Sequence, residues 1–255
     1  MHWVIQDNIY NEEGFKYLIN VLDRLQIDYT IVKVRHFIGT IEPDVNPPNP
    51  VIVMGAYSMW KTAKKKKWIP GAFVNENFTY PKFIKHYGDF MLNKDVNITT
   101  LENVEHRYDQ FFLKPCKDSK VFAGQVMDWK EFNEWRDRVL SLGWEGTVTG
   151  NTCVVQAPVA EIYREYRFFV VNGKVITGSQ YRVGYRVFST PCHEQDVIDF
   201  AQKMIDIWSP DIGCAIDIAL TPDGFKVIEI NCLNAAGFYA CDMGKVVYAL
   251  EELYK

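Results

Sequence analysis

Apolar and polar positions follow two rhythms along this chain, one before about residue 100 and one after it. HWVIQD (2–7) reads as a strand. In NEEGFKYLINVLDRLQ (11–26) the apolar residues Phe15, Leu18, Ile19, Leu22 and Leu25 recur every three or four positions, the spacing of one helix face. DYTIVKV (28–34) is a second strand, NPPNP (46–50) breaks the pattern, and VIVMG (51–55) is a short buried strand. Strand, helix, strand in that order predicts a small α/β unit with a parallel sheet. It contains no G-x-G-x-x-G, so a dinucleotide fingerprint is absent.

The later rhythm has a shorter period. QFFLKPC (110–116) is a strand, and DWKEFNEWRDRVLSLG (128–143) is a helix with Asp128 at its N-cap and Gly143 as its stop. TCVVQAPV, EYRFFVVNGKVITGSQYRV and CAIDIALTPDGFKVIEIN read as strands and hairpins, and Asn172-Gly173 is a two-residue hairpin turn. QDVIDFAQKMIDIW (195–208) and MGKVVYALEELY (243–254) are amphipathic helices. A domain boundary is expected between residues 75 and 105, giving domains of 1–95 and 96–255.

One strand carries polar residues where apolar ones are expected. In CAIDIALTPDGFKVIEIN alternation puts Ala215, Asp217 and Ala219 on one face, and Val227, Glu229 and Asn231 on one face of the next strand. Pro222-Asp223-Gly224 fits a three-residue loop, which pairs Thr221 with Phe225 and places Asp217 opposite Glu229. Like charges directly opposite repel. Two carboxylates and an amide on one face form a site for a hard divalent cation, which removes that repulsion. A solvent-exposed face would also tolerate the charges, but would not explain why long polar side chains are absent from it.

Composition narrows the rest. The 255 residues carry a net charge of −4, 48% hydrophobic and 24% charged residues, an ordinary soluble balance with no global pull toward nucleic acid or membrane. The run Lys64 to Lys67, near Trp60 and Trp68, reads as a solvated helix face; nucleic-acid binding through it is not favoured. No stretch of 18 apolar residues occurs, and MHWVIQDNIY lacks the features of a secretion signal, so a cytoplasmic, membrane-free protein is expected. Six scattered cysteines without a C-x-x-C pair read as reduced core residues.

The stretch from Val154 to Arg182, followed by CAIDIALTPDGFKVIEINCLNAAGFY, resembles the ATP-grasp superfamily, in particular its glutathione-synthetase-like and ribosomal-protein-glutamate-ligase-like branches. The resemblance implies an ATP-grasp fold of mixed α+β and α/β character, two α+β lobes gripping ATP, preceded by a small α/β domain. It implies that Asp217, Glu229 and Asn231 hold Mg²⁺, or Mn²⁺ in its place, on the ATP phosphates. Lys114 is similar to the strand lysine that contacts those phosphates. Gln156, Ala157, Pro158 and Val159 resemble the hinge whose backbone meets the adenine, with Glu161 near the ribose. Arg167 and Arg182 would face the transferred phosphoryl group as catalytic residues, since a guanidinium fork suits phosphate oxygens.

Two segments depart from the family pattern. KDSKVFAG (117–124), in place of a glycine-rich phosphate loop, has only Gly124, with Ser119 and nearby amides as substitutes. CLNAAGFY (232–239) replaces a proline- and glycine-containing version at the place where the acceptor usually binds. The implied activity is ATP-dependent carboxylate–amine ligation through an acyl-phosphate, with ADP and phosphate released. The substrates would be a carboxylate and an amine, free or on a protein. The competing readings are phosphoryl transfer without ligation, and a non-catalytic nucleotide-binding or scaffold protein.

Overall fold

Buried strands need apolar residues on both faces, whereas half-exposed ones need them only on alternate positions, and both kinds occur here. The computed structural model describes residues 1–7, 13–35, 40–117, 121–143 and 147–255. The chain forms two compact units, Met1–Asn77 with Ile162–Lys255, and Phe78–Glu161.

In the larger unit, β1 (His2–Gln6) and β4 (Val51–Met54) are apolar runs buried almost throughout. With α1 (Glu13–Arg24), β2 (Tyr29–Arg35), β3 (Thr40–Glu42), α2 (Tyr57–Lys66) and β5 (Pro70–Gly71) they form a sheet of order β3-β2-β1-β4-β5. β1 pairs in parallel with β2 and β4, as the sequence pattern predicts, and only β3 is antiparallel. α2 ends in the lysine run; Lys66 pairs with Asp44 at 2.5 Å and lies over the Trp68 ring.

The smaller unit holds α3 (Tyr80–Tyr87), β6 (Asn97–Thr100), β7 (Gln110–Pro115), β8 (Gln125–Asp128), α4 (Trp129–Ser141) and β9 (Cys153–Pro158). Its antiparallel sheet has the order β6-β9-β7-β8 over a core of Leu101, Phe111, Leu113, Met127, Phe132 and Val154. Asp128 accepts from the Glu131 amide at 2.8 Å and Glu131 accepts from the Asp128 amide at 2.9 Å, the reciprocal cap that starts α4. Cys116 and Cys153 form a disulfide, which corrects the expectation of reduced cysteines. The pairing of β7 with β9 brings their Cα atoms to 5.5 Å despite 37 residues of separation. Cys192, Cys214, Cys232 and Cys241 are buried.

The larger unit continues with β10 (Arg164–Val171), β11 (Lys174–Val183), β12 (Arg186–Pro191), α5 (Gln195–Ile207), β13 (Gly213–Thr221), β14 (Gly224–Cys232) and α6 (Met243–Leu253). The five strands form an antiparallel sheet of order β12-β11-β10-β13-β14. The β10–β11 turn is the predicted Asn172-Gly173 pair, both with positive φ (50° and 73°), and closes Val171 onto Lys174. One apolar core joins this sheet to the first: Trp3, Ile5, Leu18 and Met54 pack in the same cluster as Phe169, Phe238, Val246 and Leu250. Among the described residues no helix is long and apolar enough to cross a membrane.

Candidate active site

The hairpin of β13 and β14 closes one residue earlier than its sequence suggests. Thr221 pairs with Gly224, not with Phe225, so the loop is Pro222-Asp223 and Gly224 takes the positive φ of +90°. The Thr221 hydroxyl ties the turn, accepting from the Asp223 amide at 3.1 Å and donating to the Gly224 carbonyl at 2.8 Å. This register alone would set Asp217 against Ile228, and a one-residue slip turns a side chain to the other face. A bulge between the Asp217 and Ile218 pairings corrects it: Ile218 faces Val227, Ile228 is the extra residue, and Asp217 faces Glu229.

Asp217 and Asn231 are buried, at 2% and 3% exposure, and so is Arg167 at 8%. Arg167 stands directly across from Asp217 on β10 and grips it with two bonds, Nε to Oδ1 and Nη2 to Oδ2, each 2.7 Å. Its Nη1 reaches the Gly237 carbonyl at 3.3 Å. Burial opposes the guanidinium charge, but the Asp217 carboxylate outweighs it and holds the Arg167 pKa well above the ordinary arginine value. Asn231 donates Nδ2 to Glu229 Oε1 at 3.0 Å and, more weakly, to Asp217 Oδ2 at 3.4 Å. Asp217, Glu229 and Asn231 therefore converge, and a guanidinium and an amide offset the repulsion that the sequence reading assigned to a cation. Among the described residues no group of three or more His, Cys, Asp or Glu side chains is set to hold a metal; the set here is two carboxylates and a carboxamide.

The arginine expected beside it, Arg182, lies on β11 with its side chain 44% exposed, and its Nε sits 3.2 Å from Glu165 Oε1. The other Glu165 oxygen accepts the Tyr181 hydroxyl at 2.7 Å. The Tyr181 ring stacks on Tyr239 with centroids 4.5 Å apart and planes 8° off parallel. The Arg167 guanidinium lies over both rings, 5.0 Å from the Tyr239 centroid and 5.8 Å from that of Tyr181. Burial first, then the charges of Asp217 and Glu165, push the Tyr181 phenol well above its usual pKa. A chain of contacts thus runs from Asp217 through Arg167, the two tyrosines and Glu165 to Arg182.

Glu165, Tyr181 and Tyr239 were missed by sequence reasoning. Glu165 could have been found, because it lies two residues before Arg167 on the same strand face. Tyr181 could not, since a bulge on β11 opposite Glu165 and Tyr166 breaks the alternation there. Tyr239 lies beyond the last strand, where no period applies.

The other expected residues belong to the smaller unit, except for the tail after Asn231. Lys114, on β7 opposite Val155, is half-buried with Nζ 5.3 Å over the Tyr80 ring. Gln156 is fully buried, its side chain bonded to the Glu105 carbonyl at 2.8 Å and to Asn97 at 3.2 Å, so it braces the strand. β9 pairs with β6 only as far as Gln156 but with β7 as far as Pro158, so the ladder is one-sided at Ala157 and Pro158. Val159 and Glu161 are exposed. Ser119 lies outside the described residues. In the tail, Asn234 is fully buried and committed to internal bonds: Oδ1 accepts from the Phe73 amide at 2.7 Å, Nδ2 donates to the Val53 carbonyl at 2.7 Å, and its carbonyl accepts from the Gly55 amide at 2.8 Å.

Comparison with known proteins places the chain in a family. The model of an ATP-grasp domain, the third family of its clade, matches residues 34–250. No curated protein matches the chain. Among solved structures, the chain is similar to the D-cycloserine synthetase DcsG at 12% identity and a TM-score of 0.63, over 100% of this chain and 99% of that one. It is similar to the D-alanine–D-alanine ligase from Bacillus anthracis complexed with ATP at 12% identity and 0.62, over 97% and 91%. The ATP-grasp ligase PsnB complexed with a minimal precursor gives 13% identity and 0.56, over 99% of each chain. At these identities the likeness is one of fold.

Proposed function

Because the chain belongs to this family of ATP-grasp domains, we propose that it is an ATP-dependent carboxylate–amine ligase working through an acyl-phosphate. The observation that carries this reading is the convergence of Asp217, Glu229 and Asn231 around the buried Arg167.

The donor set fits a hard divalent cation. Two carboxylates and a carboxamide are hard oxygen ligands of the kind such a cation takes, and a half-turn of the Asn231 amide would present Oδ1 in place of Nδ2. Asp217, Glu229 and Asn231 are then the residues that would hold Mg²⁺ or Mn²⁺. When bound, the cation would neutralise charge on the ATP phosphates. Arg182, whose side chain is part-exposed although its Nε is buried, would exchange Glu165 for a phosphate oxygen. Nucleotide roles for Lys114, Gln156 to Val159 and Glu161 rest on the family resemblance.

The chemistry is two displacements. A substrate carboxylate oxygen attacks the γ-phosphorus of ATP, the bond to the bridging oxygen breaks, and ADP leaves. An amine nitrogen then attacks the acyl-phosphate carbon, phosphate departs, and the nitrogen loses its proton to give the amide. Positioning and charge neutralisation dominate such transfers.

Hydroxylamine tests this directly, because it intercepts an acyl-phosphate as a hydroxamate. The protein is incubated with Mg·ATP, hydroxylamine and a panel of carboxylates. The panel includes amino acids and peptides, since structures similar to this chain include one solved with a precursor peptide. Hydroxamate formed in step with ADP is expected. A stable phosphorylated acceptor with no hydroxamate would favour phosphoryl transfer without ligation, and nucleotide binding without any ADP release would favour the non-catalytic reading.

A further inference from the structure

Two neighbouring aromatic residues behave differently after β14. Phe238 is fully buried and packs in the common core against Phe169, with centroids 6.4 Å apart. Tyr239 is only half-buried and turns the other way, onto Arg167 and Tyr181. It does so from a left-handed backbone, φ +49°, which a bulky residue adopts at a cost and glycine or asparagine adopts readily. If the turn alone mattered, either of those would serve better.

We propose that Tyr239 is a positioning residue for Arg167 and, through it, for Asp217. This rests on the reading of the Asp217 site as the catalytic one. The two bonds to Asp217 fix one edge of the Arg167 guanidinium, while Nη1, off that edge, is held only by the longer 3.3 Å bond to the Gly237 carbonyl, which leaves that end some freedom to swing. The Tyr239 ring 5.0 Å from the guanidinium carbon closes that freedom, and a cation is attracted to a ring face. The ring is itself held. Tyr181 stacks against it, the Tyr181 hydroxyl is anchored on Glu165, and the next residue's amide, that of Ala240, donates to Ser179 Oγ at 3.3 Å. Glu165 also stands 3.2 Å from Arg182 Nε, an ion pair without hydrogen-bond geometry, so displacing Tyr239 acts first on Arg167.

Tyr239→Phe and Tyr239→Asn separate this from a packing role. The first keeps the ring; the second keeps a residue suited to the left-handed backbone and removes the ring. With Mg·ATP, hydroxylamine and the carboxylate panel, Tyr239→Phe should keep kcat within about 3-fold. Tyr239→Asn should lose on the order of 10–100-fold in kcat with little change in KM for ATP, the signature of a lost orientation, while melting within a few degrees of wild type. The Arg167 Nε–H resonance, assigned with Arg167→Lys, gives a readout that needs no substrate. It should be sharp in wild type and Tyr239→Phe, and shifted or broadened in Tyr239→Asn. An unchanged resonance in Tyr239→Asn overturns the proposal, as does a kcat loss matched by a large fall in melting temperature, or equal losses in both variants. A wild type that makes no ADP with any carboxylate counts against the ligase reading, and the resonance still decides the positioning role.

Discussion

Asp217→Ala separates what this carboxylate does for the fold from what it would do for a cation. The substitution removes both 2.7 Å bonds from Arg167 and leaves this residue, 8% exposed, without its counter-charge. Breaking a buried ion pair from one side costs about 3–5 kcal/mol, because the desolvated partner stays behind. In a chain of this size each kcal/mol lowers Tm by roughly 2–4 °C, so Asp217→Ala should melt about 6–20 °C below wild type. Replacing both partners by apolar residues, as in Asp217→Leu with Arg167→Met, removes the stranded charge and should recover most of the loss. Thermal melts and urea titrations of the two single variants and the double variant give the coupling directly. If Asp217→Ala melts within a degree or two of wild type, or the double variant is no better than the single, the stranded charge is not what destabilises the fold.

Glu229→Gln should be the cleaner probe of cation-dependent turnover. Glu229 is half-buried and bonded to Asn231 at 3.0 Å, so the fold should lose no more than about 1 kcal/mol while ADP release falls by orders of magnitude. Asn234→Ala orphans the Phe73 amide and removes the Val53 contact, which predicts a loss of about 2–4 kcal/mol in urea unfolding without a matching change in ATP affinity. Tyr181 has a phenol pKa raised in the fold, by burial first, so its contribution is complete below the unfolded value of about 10 and is lost as pH rises above it. The stability advantage of wild type over Tyr181→Phe should therefore hold up to about pH 10 and narrow as pH rises further, toward the raised phenol pKa. Burial drives the Cys192 and Cys214 thiols up to about 12, so after reduction the exposed Cys153 should react fast with a disulfide reagent at about pH 8 while those two wait for unfolding.

The legible parts of this molecule were those governed by a short period or a local signal. Alternation put Glu229 and Asn231 on one face of their strand, Asp128 marked the start of α4, and Asn172-Gly173 marked a turn. The right pairing of Asp217 with Glu229 came from a wrong loop length. A turn one residue too long and a bulge left out shift the register equally, and the two cancel. Bulges escape sequence reading because nothing in Ile228 or Tyr181 announces that the ladder skips there. The Cys116–Cys153 bond and the tyrosine pair on Arg167 depend on strands and loops brought together from far along the chain. Short elements such as β3 and β5, three and two residues long, carry too few positions to show any period.

The core that Trp3 and Leu18 share with Phe169 and Val246, together with the Asn234 bonds to Val53 and Phe73, has a consequence for how this unit opens. A layer that stood alone would exchange its amide hydrogens at its own rate. Here the N-terminal strands and the carboxylate-bearing strands should exchange through one opening event, so that β1 and β13 amides share a single free energy under denaturant. Destabilising the first strand, for instance by Trp3→Ala, would then lower protection around Asp217 by the same amount, far along the sequence from the change.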